Sequence, residues 1–122
     1  MLLLTKVLIH DERPHILAFL LKLILSRGYN AGFAKDGNEI IAMLSNDQYD
    51  VVLTNGGYRE LNPDQHMQLK ASSVLIIDIK DSLNQNQDMD LNADLYLPTR
   101  FSISELWQAL KKLFMFYGST IN

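Results

Sequence analysis

Short apolar runs alternate with longer stretches in which apolar residues recur at helical spacing. The runs at 6–9, 29–34, 51–53, 73–78 and 94–97 are too short for helices; all but the weaker run at 29–34 carry Val, Ile or Leu. They read as five strands, the middle ones buried on both faces in the manner of a parallel sheet. Between them, 14–27, 38–45, 64–70 and 103–117 read as helices. Pro14 suits a first helical turn, with Asp11 and Glu12 near its positive end, and Gly28 is a left-handed terminator. The last helix carries Ile103, Leu106, Trp107, Leu110, Leu113, Phe114 and Tyr117 on one stripe. The segment 82–91, with Asn84, Gln85, Asn86, Gln87 and Asp88, has almost no apolar face and predicts a short, frayed helix or a loop. Strand–helix alternation predicts a doubly wound α/β sandwich with a five-stranded parallel sheet of order 2-1-3-4-5.

Composition narrows the function classes. A length of 122 residues fits one domain, 1–122, with 48% hydrophobic and 20% charged residues. The net charge of −3 and the lack of a basic run predict no nucleic-acid contact and no membrane association. With no cysteine, thiol nucleophiles and Cys-ligated zinc are excluded. The apolar stretch 16–25 is broken by Lys22 and falls short of a membrane span, so a cytoplasmic location is expected. His10, His15 and His66 show no ligand spacing and are expected to be packed or solvated, and no phosphate-binding glycine fingerprint is present.

The candidate chemistry lies where such sheets place it, past the carboxyl ends of their strands. The middle strand empties into Asn55-Gly56-Gly57, and the order 2-1-3-4-5 brings Asp11 and Glu12 beside it. Asn55 decides what the site can do. A carboxylate there could take a phosphoryl group, whereas a neutral amide has no comparable nucleophilic lone pair.

The segments 6–14 (KVLIHDERP), 28–29 (GY), 36–37 (DG), 50–55 (DVVLTN) and 93–101 (ADLYLPTRF) fall in an order and spacing that resembles the response-regulator receiver domains, the CheY-like modules of two-component signalling. The resemblance spans nearly the whole chain. It implies that Asp11 and Glu12 stand where receivers hold Mg²⁺, and that Asn55 stands at the phosphoacceptor aspartate. It also implies that Asp78 replaces the Thr or Ser that would hydrogen-bond the phosphoryl group. Thr99 replaces the lysine that would pair with it, and Arg100 the proline after that lysine. Tyr96 falls on the aromatic switch position, where core filling is expected. The nucleophile, the hydroxyl and the counter-cation are all missing, as in a degenerate, or pseudo-, receiver.

Further expectations follow. Asp78 either turns to solvent or joins Asp11 and Glu12 as a third carboxylate, in which case at least one pKa should rise unless a cation binds. Arg100 is a candidate internal counter-ion. Asn55-Gly56 is open to deamidation. No cofactor is required, and Mg²⁺ at Asp11 and Glu12 is weighed against a plain helix-end preference. Over 16–25 of the first helix mainly Ala18 and Lys22 are expected to face outward. Receivers often pair through their fourth and fifth helices, but the nearly apolar-free segment 82–91 disfavours that face. A contact through the first or last helix, with a second copy or a signalling partner such as a kinase, output domain or regulator, is expected instead. The leading reading is a non-enzymatic interaction module that works without phosphorylation of Asn55. The alternatives are a receiver regulated through another acid (Asp78 or Asp11) or a metal, and a flavodoxin-like binder of a small ligand.

Overall fold

The computed structural model describes residues 5–79 and 93–115. Five strands form one parallel sheet in the order β2-β1-β3-β4-β5, with β1 at Lys6–His10, β2 at Asn30–Ala34, β3 at Val51–Thr54, β4 at Leu75–Ile79 and β5 at Leu95–Leu97. The predicted topology is therefore the observed one. Helices α1 (Pro14–Ser26), α2 (Gly37–Asn46) and α3 (Pro63–Ala71) lie in the crossovers between successive strands, α4 (Ile103–Leu113) follows β5, and a 3₁₀ turn spans Gly57–Glu60. The frayed element expected at 82–91 and the end of the last helix at Tyr117 lie outside the described residues.

Local chemistry sets the helix ends. Pro14 opens α1 from Arg13, which stands in extended backbone, and the chain leaves α1 through Gly28 at φ +89°. The Asp36 side chain accepts from the Glu39 N–H and caps α2. Asn62 with Gln65, and Ser102 with Glu105, form reciprocal capping boxes on α3 and α4.

Strand alternation divides the interior in two. On one face of the sheet, Val7, Ile9, Val51, Leu53, Ile77 and Ile79 meet Leu20 and Ile24 of α1 and Leu106, Leu110 and Leu113 of α4. On the other, Leu8, Val52 and Ile76 meet Ile40 and Ile41 of α2 and Leu69 of α3. The rings of Tyr29, Trp107 and Phe114 lie together at the edge of the first core, with the Arg27 guanidinium 4.5 Å from the Trp107 ring centre.

Two surface expectations are corrected. Phe19 and Leu25 are about half exposed on α1, in addition to Ala18 and Lys22, because one sheet face cannot cover so wide an apolar arc. Ile103, placed on the inward stripe, is exposed because it lies in the first turn of α4, ahead of the buried Leu106.

Candidate functional site at the strand mouths

The register places His10, Thr54, Asp78 and Tyr96 side by side across β1, β3, β4 and β5. Asp11 and Asn55 follow one residue later, and Asn55 stays tied to β1 through its N–H on the His10 carbonyl at 3.1 Å. Because side chains alternate, the sheet's edge presents two chemically distinct faces.

On the α1/α4 face, Asp11 is buried and fully neutralised. The Arg13 guanidinium donates from Nε to Oδ1 at 2.9 Å and from NH2 to Oδ2 at 2.8 Å, and the Arg13 backbone N–H donates to Oδ1 at 3.0 Å. Burial alone would push the Asp11 pKa up. The Arg13 hydrogen bonds and charge outweigh that and hold it below the ordinary value. The same pairing raises the Arg13 pKa. The Asp11 pKa is not raised by neighbouring acids, because a cation is already present in the chain. That cation is Arg13 and not Arg100, which is exposed and forms no ion pair among the described residues.

The Asn55 amide completes this face. In one orientation its Nδ2 reaches Asp11 Oδ2 at a long 3.4 Å. Turned by a half rotation, Nδ2 donates to the Ile79 carbonyl at 3.0 Å and the oxygen accepts from Arg13 NH2 at 3.1 Å. The second assignment is the better one, since both ends then meet groups of opposite character. The position is thus fitted to an amide. A carboxylate would aim an oxygen at the Ile79 carbonyl, with no donor on that side.

On the α2/α3 face, Asp78 is fully buried, which excludes the solvent-facing alternative, and its Oδ1 accepts from the Gly56 N–H at 3.1 Å. Gly56 sits at φ +74°, where a side chain is strained. The Gly57 N–H donates to Thr54 Oγ1 at 2.9 Å, and Thr54 Oγ1 lies 2.8 Å from His10 Nδ1. A Cβ on Gly57 would stand 2.8 Å from His10 Nδ1, Thr54 Oγ1 and Ile40 Cδ1 alike. His10 is packed, as expected, and its Nε2 has no hydrogen-bond partner among the described residues.

The remaining positions are less engaged. Glu12 is exposed, Thr99 is half-buried without a side-chain hydrogen bond among the described residues, and Tyr96 is more than a third exposed. Tyr96 is therefore not a core filler: it is the middle residue of a three-residue strand that alternation turns away from the α1/α4 core. His15 is exposed and His66 half-buried, on separate helices.

A divalent cation at Asp11 and Glu12 does not fit the residues as arranged. Mg²⁺ takes near-octahedral oxygen ligands, and both Asp11 oxygens and the Asn55 oxygen already face one guanidinium. Among the described residues no three His, Asp or Glu side chains converge as a metal cage.

The sequence reading missed Arg13 and the Ile79 carbonyl. A signal existed for the first: an aspartate commonly folds back on the backbone N–H two residues ahead, and Asp11–Arg13 has that spacing. The carbonyl carries no side-chain signature at all.

No family model matches this sequence, and no curated protein matches it. Solved structures do match its fold. The chemotaxis response regulator CheY4 of Vibrio cholerae is 18% identical and superposes with a TM-score of 0.77, over 91% of this chain and 99% of its own. The response regulator TrrA of Thermotoga maritima, solved with Mg²⁺ and BeF, is 23% identical with a TM-score of 0.74, over 90% and 99%. The receiver domain of Saccharomyces cerevisiae Ssk1, crystallised with the histidine phosphotransfer protein Ypd1, is the subject of a further match at 16% identity and a TM-score of 0.70, over 87% and 86%. The fold is CheY-like and flavodoxin-like.

Proposed function

We propose that this chain is an atypical receiver of two-component signalling, an interaction module that works without phosphorylation at residue 55. The observation that carries the reading is the Asn55 amide, held between the Arg13 guanidinium and the Ile79 carbonyl. An amide is not a nucleophile for phosphoryl transfer, and its neighbours suit the amide and not the acid. Asp78 adds to this, because a buried carboxylate beside Gly56 repels a group carrying nearly two negative charges.

The alternative acceptors lack support. Both Asp11 oxygens are bound by Arg13, and Asp78 is closed off from solvent and bonded to Gly56. No observation favours a flavin or nucleotide. Among the described residues no helix is long and apolar enough to cross a membrane.

The partner in this reading is a signalling protein or a second copy, docking on the exposed apolar residues of the outer helices. Phe19 and Leu25 of α1 are the principal candidates, with Ile103 of α4 and Met115 just past its end. The complex of Ssk1 with Ypd1 shows that another protein of this fold engages a signalling partner.

Incubation of the full chain with acetyl phosphate and Mg²⁺, followed by intact-mass measurement, tests the proposal. The expected spectrum is unchanged. A labile adduct of about 80 Da, the mass of one phosphoryl group, mapping to Asn55 overturns it.

A further inference from the structure

We infer that Arg13 is the resident cation of this pocket, occupying by its own side chain the role a divalent metal would otherwise fill at Asp11. Three features converge on it. A buried carboxylate requires a counter-charge, and the Asp11 side chain is fully buried while Arg13 is its salt-bridge partner. The pairing is two-pronged, so the planar guanidinium covers both oxygens that a metal would use. The Asn55 oxygen faces the same guanidinium, so the oxygens of two chain segments share a single cation.

The backbone holds Arg13 in place. Its own N–H returns to Asp11 Oδ1, and Pro14 at the first position of α1 fixes the dihedral that follows. The ion pair therefore ties the end of β1 to the start of α1. A metal can bind Asp11 only if the guanidinium leaves, and Glu12, exposed next door, is then the second carboxylate available. Asp11 is charge-balanced by Arg13 without any ion from solution. This inference concerns the cation alone and stands whether or not Asn55 can be labelled.

The test is Mn²⁺ binding by the full chain, read from the electron paramagnetic resonance signal of free Mn²⁺. Wild type is expected to leave that signal undiminished. Arg13→Ser, which frees both Asp11 oxygens, is expected to bind Mn²⁺ on the order of tenfold more tightly than wild type. Adding Asp11→Asn to that variant should abolish the gain. Binding by wild type equal to that of Arg13→Ser overturns the inference, and so does a folded Arg13→Ser without a gain or a gain that survives Asp11→Asn. If Arg13→Ser does not fold, the native protein decides through the Arg13 Nε–H resonance. Slow exchange that excess Mg²⁺ leaves unchanged supports the inference, and loss of that protection on adding Mg²⁺ overturns it.

Discussion

The two faces of the sheet's carboxyl edge solve the same problem with different chemistry. Both bury polar groups at the strand mouths, where unpaired groups are costly. The α1/α4 face uses charge: Asp11, Arg13 and the Asn55 amide form a closed set of donors and acceptors. The α2/α3 face has no ion pair among the described residues: beside the buried Asp78 carboxylate, a chain runs from the Gly57 N–H to Thr54 and on to His10, and one ring nitrogen of His10 has no partner among those residues. The ion-paired face carries its own counter-charge; the α2/α3 face depends on close packing and leaves His10 Nε2 one bond short among the described residues.

The largest effect is expected where packing leaves no room. Gly57→Ala should cost about 3 kcal/mol of stability, because the new methyl meets a ring nitrogen, a hydroxyl and a core methyl group at once. Urea unfolding measures it, and a loss below about 1 kcal/mol would mean the α2/α3 face is looser than its distances indicate.

The charged face comes next, and its signature is pH dependence. Asp11→Asn should cost about 2 kcal/mol at pH 7, less than a fully buried pair because the Arg13 side chain is 42% exposed. The Asp11 pKa is lowered in the folded protein, so the pair contributes fully above the ordinary value of 3.8 and is lost as pH falls through the lower folded value. The gap between wild type and Asp11→Asn should therefore narrow in strong acid and not at alkaline pH. A gap independent of pH would show that Asp11 acts by shape and not by charge.

A smaller effect of opposite sign is expected at His10. His10→Leu removes the unpartnered nitrogen while Thr54 keeps its bond to Gly57, and should raise stability by about 1 kcal/mol. A loss instead would indicate a buried water serving that nitrogen. Smallest of all, Phe19→Ser on α1 should change stability by less than about 0.5 kcal/mol, since the ring is half exposed. If that helix is the docking face, self-association or partner capture, read by sedimentation, should weaken all the same.

The fold was legible in the pattern of residues. Strands such as 51–53 are buried on both faces, and that leaves a mark in any sequence: an unbroken apolar run closed by glycine. Helix ends at Pro14 and Gly28 were equally readable, because those residues restrict or free the backbone by themselves. Tyr96 and Ile103 were misplaced, since one lies in a strand of only three residues and the other in the first turn of a helix, where periodicity says least about burial. Asn55 and its inability to act as an acid nucleophile could be named from the sequence, but not the reason an amide suits that position.

By itself, then, the order of residues determined which segments become strands, how they are arranged, and that position 55 carries an amide. Backbone preference and burial pattern are written locally or repeat along the chain. Tertiary structure alone decided that Asp78 turns inward to Gly56 and that the Ile79 carbonyl awaits a donor from Asn55. Those outcomes depend on distances of about 3 Å between separate segments, and hydrogen bonds of that length discriminate where sequence spacing cannot.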